Sequence, residues 1–171
     1  PWTLSAQASK PYNLDTGIAP QQYNPVGSYK REFEVDKEML QGERQIFVSF
    51  QGVESAFYVW VNGHEVGYSE DSYSPADFNI TDYLKEGKNE ISVQVYRWSD
   101  GSYVEDQDFI RLSGIFRDVY LYSKDDVEIF DYQVKTDLDE NYENAVMDVS
   151  LDVRQLAETD GEYEVNTKLL D

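Results

Sequence analysis

From Ser28 onward the apolar positions recur every second residue, the period of a strand whose side chains alternate between two faces. Tyr29, Arg31, Phe33 and Val35 fall on one side of a strand predicted over 28–35, followed by at most one helical turn at 36–40. Ile46, Val48 and Phe50 alternate in a second strand, 44–50. Two further runs, 56–61 and 64–68, flank Asn62-Gly63. Asn-Gly between apolar runs is the strongest short-range signal for a hairpin, because both central residues must take positive φ.

Past a polar loop at 70–75, Phe78, Ile80, Tyr83 and Leu84 predict a strand end and one helical turn, with Asn79 or Thr81 as its cap and Gly87 as its stop. Ile91, Val93 and Val95 alternate over 90–96, and a returning strand is expected at 116–123. Lys124-Asp125-Asp126 is a charged break, where the domain boundary is placed. Beyond it the alternation predicts three more strands, 127–136, 145–153 and 162–170. Short strands at regular spacing, with turn chemistry between them and no core-length helix, predict an all-β, two-sheet sandwich. Residues 1–26, which hold Pro1, Pro11, Pro20 and Pro25, read as an extended arm.

Composition narrows the picture. The 171 residues suffice for one well-cored domain and part of another, but not for an α/β barrel of about 250 residues. A net charge of −20 excludes nucleic acid and disfavours an anionic membrane. With no Cys and a single His there is neither a disulfide framework nor a multi-histidine metal cage. No 18-residue apolar run is present, so no spanning helix is expected. The opening at Pro1 rather than Met is expected of a segment excised from something larger.

The densest chemistry lies between Arg97 and Asp118. Glu105, Asp106 and Asp108 sit beside Trp98, Tyr103 and Phe109, with Arg97, Arg111 and Arg117 as counter-charges. Carboxylates beside aromatic faces suit a sugar, whose hydroxyls seek charged acceptors and whose C–H faces seek an apolar platform. A glycosidase pair needs carboxyls about 5 Å apart, or about 6.5–9.5 Å apart, across the scissile bond. Neighbouring carboxylates on one loop approach from the same side, so catalysis by this cluster is not expected. Glu105 and Asp106 read as loop architecture, Trp98 and Phe109 as core or interface, and His64 as an exposed hairpin-tip residue. On residue chemistry alone Asn24 is a turn former before Pro25, and Asp108 a loop carboxylate paired with Arg97 or Arg111.

The run from Trp98 to Asp108, Trp-Ser-Asp-Gly-Ser-Tyr-Val-Glu-Asp-Gln-Asp, together with Ser113-Gly-Ile-Phe-Arg-Asp-Val119, closely resembles the sugar-binding domain of glycoside hydrolase family 2, in particular its β-galactosidases. Asn24-Pro-Val-Gly-Ser-Tyr29, Gly52-Val-Glu-Ser-Ala-Phe57 and Val61-Asn-Gly-His-Glu-Val-Gly-Tyr68 extend the resemblance over 20–135. It implies a jelly-roll β-sandwich over 1–123, with the N-terminal arm, and an incomplete immunoglobulin-like sandwich over 124–171. It further implies that the catalytic glutamates belong to an α/β barrel elsewhere in the parent chain. By matched position Asp108 would bind a galactose hydroxyl and ligate sodium in a partial site, and Asn24 would add a second contact to the sugar. Magnesium would be held by barrel residues absent here.

The partners implied are a β-galactoside, the barrel and remaining domains of the same chain, and further copies of the parent. A cytoplasmic parent is expected, with export or the cell surface as the alternative. Two other readings stay open. One is a free-standing carbohydrate-binding module; the other is a β-glucuronidase or β-mannosidase of the same family, although the acidic loop would repel a glucuronide carboxylate.

Overall fold

The computed structural model describes residues 23–40, 44–105 and 111–170. The arm up to residue 22, together with Asp106, Asp108 and Phe109, lies outside the described residues. The chain divides into two compact units, Pro1–Ser123 and Lys124–Asp171.

The first unit is built from β1 (Val26–Val35), the single turn α1 (Lys37–Leu40), β2 (Arg44–Phe50), β3 (Val53–Glu54), β4 (Ala56–Val61), β5 (His64–Ser69), β6 (Ala76–Asn79), β7 (Gly87–Tyr96), β8 (Gly114–Ile115) and β9 (Val119–Asp125). One sheet has the order β1-β7-β4-β5 and a second β6-β2-β9. A short ladder joins β3 to β8, with Val53 opposite Ile115 and Glu54 opposite Gly114. The core is the set of inward positions that period-two patterning marks: Ile46, Val48 and Phe50 on β2, Phe57, Val59 and Val61 on β4, and Val93 and Val95 on β7. Phe50 and Phe57 rings lie 4.9 Å apart, with Phe78 edge-on to both. The result is the all-β sandwich predicted from sequence.

Local chemistry sets the connections. Asn62 (φ 51°) and Gly63 (φ 85°) form the β4–β5 turn, both at positive φ as the hairpin requires. The Asn62 amide also donates to Tyr83 O (2.7 Å) and Asn89 Oδ1 (2.8 Å), and its Oδ1 accepts from Glu90 N (3.0 Å). That network ties the hairpin tip to the start of β7. Asp36 caps α1 through Met39 N (2.8 Å); the 3₁₀ turn Thr81–Tyr83 has Ile80 as its N-cap residue, without a side-chain cap bond, and Asn79 Oδ1 accepts from Thr81 N (3.1 Å) just ahead of it.

Two expectations for the first unit change. Of the β1 residues expected inward, only Val35 is buried and Phe33 half-buried, while Tyr29 is 43% exposed. β1 is an edge strand of the four-stranded sheet, and its inward face is not closely packed against β9 of the three-stranded one. An apolar cavity of about 480 Å³ remains there, lined by Tyr29, Phe33, Ile91, Val119 and Leu121 among others. Nor is 116–123 one strand: Phe116–Asp118 breaks it. Phe116 and Arg117 fold over Gly52, where an added Cβ would come within 2.8–2.9 Å of them. Phe116 N donates to Gly52 O, and Gln51 N to Asp118 O.

The second unit is an antiparallel hairpin of β10 (Val127–Leu138) and β11 (Ala145–Gln155). A bulge between Ile129 and Asp131 inserts one residue, so that Ile129 and Tyr132 keep to the same face. Tyr132, Val134, Thr136 and Leu138 stand opposite Leu151, Val149, Met147 and Ala145, which makes one face apolar. The opposite face carries Asp131, Gln133, Lys135, Asp148 and Asp152. The third expected strand, 162–170, is not a strand. Its alternation suits a sheet, but no ladder partner faces it among the described residues.

Candidate functional site

The site assembles where β3, the β5–β6 loop, the segment after β7 and the segment before β8 meet. Tyr96 ends β7, and the chain then makes two anchors. Arg97 N donates to Pro25 O at 3.1 Å. Trp98 N donates to Asn24 Oδ1, and Asn24 Nδ2 donates to Trp98 O, both at 2.9 Å. Asn24 thus closes a two-point clamp on the main chain of Trp98. An amide has two N–H donors and two acceptor lone pairs, so each atom keeps capacity for one further bond towards a ligand.

Trp98 is 3% exposed and stacks near two guanidinium groups, Arg97 at 5.3 Å and Arg111 at 5.9 Å from the ring centre. It is a core residue here, not a sugar platform. Behind it three hydroxyls form a buried chain: Ser102 Oγ donates to Ser55 Oγ (3.0 Å) and Ser55 Oγ to Ser99 Oγ (2.7 Å), while Ser99 N donates to Ser102 Oγ (3.0 Å). This chain and the 3₁₀ turn Gly101–Tyr103 fix the loop that follows β7.

Glu105 performs the structural role expected of it. Its carboxylate accepts from Ser72 N (2.8 Å) and Ser72 Oγ (2.6 Å), and its main-chain oxygen accepts from Arg111 Nη2 (2.8 Å). Glu105 is therefore a tether to the β5–β6 loop. Glu54, also buried, accepts from Ser113 N at 2.9 Å. Tyr73 lies among these groups, and burial, with the Glu54 and Glu105 carboxylates, pushes its phenol above the usual range. Arg117 Nη1 donates to Tyr73 O (2.8 Å) and Gln51 O (3.2 Å), pinning the same loop. Asp71 accepts from the Ser74 side chain and from Ser74 N and Tyr73 N, and these bonds, the Ser74 side chain's foremost, hold its carboxyl below its ordinary value.

The structure therefore brings Asn24, Trp98 and Glu105 to one rim of the first unit, while Asp108 lies outside the described residues. His64 is exposed on β5, its ring 5.9 Å from that of Tyr83. Among the described residues no three His, Asp or Glu side chains converge on a metal position. Sequence reasoning missed the clamp on Trp98 and the Ser55–Ser99–Ser102 chain, because both join segments more than 40 positions apart and leave no local signature.

The family model for the sugar-binding domain of glycosyl hydrolases family 2 matches residues 5–125. The chain belongs to that family. The rim described above is thus the loop end of a family 2 sugar-binding domain. The chain is 53% identical over 160 residues to a protein named beta-galactosidase from Priestia megaterium, covering 94% of this chain and 15% of that protein. It is 54% identical over 137 residues to another of that name from Clostridium acetobutylicum, covering 80% and 15%. The chain therefore spans about 15% of the length of these curated relatives. Among solved structures, a Bacteroides vulgatus beta-glycosidase is similar at 27% identity with a TM-score of 0.59, over 78% of this chain and 16% of that one. A Bacteroides uniformis beta-glucuronidase 2, at 24% identity and TM-score 0.57, covers 67% and 14% and shares the fold.

Proposed function

We infer that this chain is the sugar-binding portion of a longer, retaining β-galactosidase that hydrolyses terminal non-reducing β-D-galactosides, and that it contributes to the galactose subsite without supplying the catalytic carboxylates. The observation that carries the reading is the 53% identity, across nearly the whole chain, to a protein named beta-galactosidase. The rim geometry supports it: Asn24 keeps one donor and one acceptor unspent while the clamp holds it in place. The carboxylate of Glu105 is committed to Ser72, which removes it from the pool of acids that could protonate a leaving group.

In this reading Asn24 and Asp108 touch the sugar from one flank, and an α/β barrel elsewhere in the parent supplies the acid/base and nucleophile. Sodium at Asp108 would need its remaining ligands from the barrel, and magnesium would be held by barrel residues alone. The second unit would be the start of an immunoglobulin-like sandwich completed by further chain. The parent would be cytoplasmic and would assemble with further copies of itself. The acidic loop favours a galactoside over a glucuronide, whose carboxylate it would repel.

The test compares the full parent with the 171-residue chain on lactose and on a chromogenic β-galactoside. The parent is expected to turn over both and the short chain neither. Asp108→Asn in the parent should lower kcat/KM and flatten its dependence on sodium. Hydrolysis by the short chain alone, or unchanged kinetics in the variant, would overturn the reading.

A further inference from the structure

The outward face of the four-stranded sheet carries chemistry that the galactose reading does not use. The ladder registers place Ser28 opposite Gln94, Gln94 opposite Tyr58, and Tyr58 opposite Tyr68, in one row across all four strands. The next row runs Lys30, Ser92, Trp60 and Glu65. Tyr96, two residues from Gln94, lies on the same face. The rings form a continuous patch: Tyr58 to Tyr68 4.6 Å, Tyr58 to Trp60 5.8 Å, and Tyr58 to Tyr96 6.0 Å between centroids.

A groove of about 300 Å³ opens beside the indole, lined by Trp60, Ser28, Lys30, Ser92 and Gln94 among others. That volume is at the lower end of small-ligand sites. Its lining combines an indole with hydroxyls and an amide, the pairing of apolar and polar surface that a pyranose presents. Gln94 Oε1 accepts from Tyr96 Oη at 3.5 Å, and Gln94 lines the groove.

Charge selects among ligands of that shape. The Lys30 ammonium is paired with Glu90 at 2.7 Å, so no uncompensated cation faces the groove. Glu65 stands at the end of the Trp60 row, and Glu70 sits beside Tyr68, accepting from its phenol at 2.7 Å. Burial, with that carboxylate, holds the Tyr68 phenol well above its usual range, so it stays a neutral hydroxyl. An anionic sugar would meet these carboxylates, whereas neutral hydroxyls can donate to them.

We propose that the Trp60 groove and the Tyr58–Tyr68–Tyr96 patch form a second carbohydrate site that binds a neutral oligosaccharide along the outer sheet face. It uses the outward side chains of β1, β4, β5 and β7, adjoins the Asn24–Trp98 rim at Tyr96, and goes beyond the galactose-subsite reading. Such a site would hold a polymeric or surface-bound glycan without taking part in its cleavage.

The test is ¹H–¹⁵N NMR of the 171-residue chain, titrated separately with cellobiose, lactose and digalacturonate. The indole resonance of Trp60 should shift saturably with either neutral disaccharide, and digalacturonate should bind at least about tenfold more weakly, the factor that about 1.4 kcal/mol of charge repulsion represents. Trp60→Ala should weaken binding about tenfold, in line with the worth of an aromatic contact. Gln94→Ala should weaken it several-fold while keeping the dispersed amide spectrum of the folded chain, so a misfolded Trp60 variant would not decide the matter. Shifts confined to Trp98 and its neighbours would support the galactose subsite and sink the second site. So would an unmoved Trp60 resonance at the solubility limit of the sugars, or equal affinity for digalacturonate.

Discussion

Replacing Asn24 by alanine removes both bonds of the Trp98 clamp at once. Trp98 N–H and C=O are then left within a residue that is 3% exposed, where water cannot easily replace the amide. Two neutral bonds of about 0.5–1.5 kcal/mol each give a loss of about 1–3 kcal/mol. Asn24→Asp separates the clamp's halves: the carboxylate still accepts from Trp98 N, but it sets an anion against Trp98 O where a donor stood. It should therefore destabilise at least as much as alanine, although it is nearly isosteric. Trp2, Trp60 and Trp98 all belong to the first unit, so thermal unfolding followed by tryptophan fluorescence reports on that unit alone. A midpoint drop of about 2–4 °C per kcal/mol is expected. Amide exchange at Trp98 should accelerate in both variants. If Asn24→Asp unfolds at the wild-type midpoint, or Trp98 exchange is unchanged in Asn24→Ala, the clamp does not hold the rim and the argument fails.

Other outcomes follow from the same geometry. Glu105→Gln replaces a charge-assisted acceptor of Ser72 N and Oγ with a neutral one, so exchange at Ser72 and Tyr73 should rise for a local loss of about 1–2 kcal/mol, with the core amides of β4 unaffected. At Gly67 an added Cβ would fall 2.6 Å from the Phe78 ring that packs on Phe50 and Phe57; Gly67→Ala should cost about 1–3 kcal/mol in urea unfolding of the first unit. In the β10–β11 turn, Asp139 accepts from Asn144 Nδ2, Glu143 N, Asn144 N and Asn141 N, which holds its carboxyl below the ordinary 3.8. A depressed folded value means that the turn's support is complete above the unfolded value and is lost as pH falls through the folded one. Amide exchange at Glu143 and Asn144, corrected for intrinsic rates, should therefore rise on strong acidification, and Asp139→Asn should remove that pH dependence.

What the sequence disclosed was what depends on neighbours in the chain. Asn62-Gly63 announces its turn because positive φ is a local demand, and β2 and β4 announce themselves because both faces are patterned by burial. The break at Phe116–Asp118 was hidden, since it exists only because Gly52, more than 60 positions away, leaves room for those side chains. The misreading of β1 has a similar origin: alternation shows which residues share a face, but not how closely a second sheet packs against it. The segment 162–170 alternates as a strand would, yet a strand needs a partner and not only a pattern. At the rim, the aromatic and acidic composition marked the stretch that follows β7, where Trp98 and Glu105 lie. The division of labour there, Trp98 buried and Glu105 committed to Ser72, depended on long-range packing. Tyr58 and Trp60 fall within the run 56–61, but only the ladder registers bring them together with Tyr68, Tyr96 and Gln94.

The amide at the β4–β5 hairpin tip also governs how this protein should age in storage. An asparagine followed by glycine is prone to cyclise, because the next main-chain nitrogen can attack its side-chain carbonyl and expel ammonia. In the fold that carbonyl group is held by Glu90 N while its nitrogen is bound to Tyr83 O and Asn89 Oδ1, so the attack would require the whole network to be released first. Peptide mapping by mass spectrometry should find deamidation at Asn62 slow in buffer and rapid in urea, which makes its accumulation a chemical record of the time each molecule has spent unfolded.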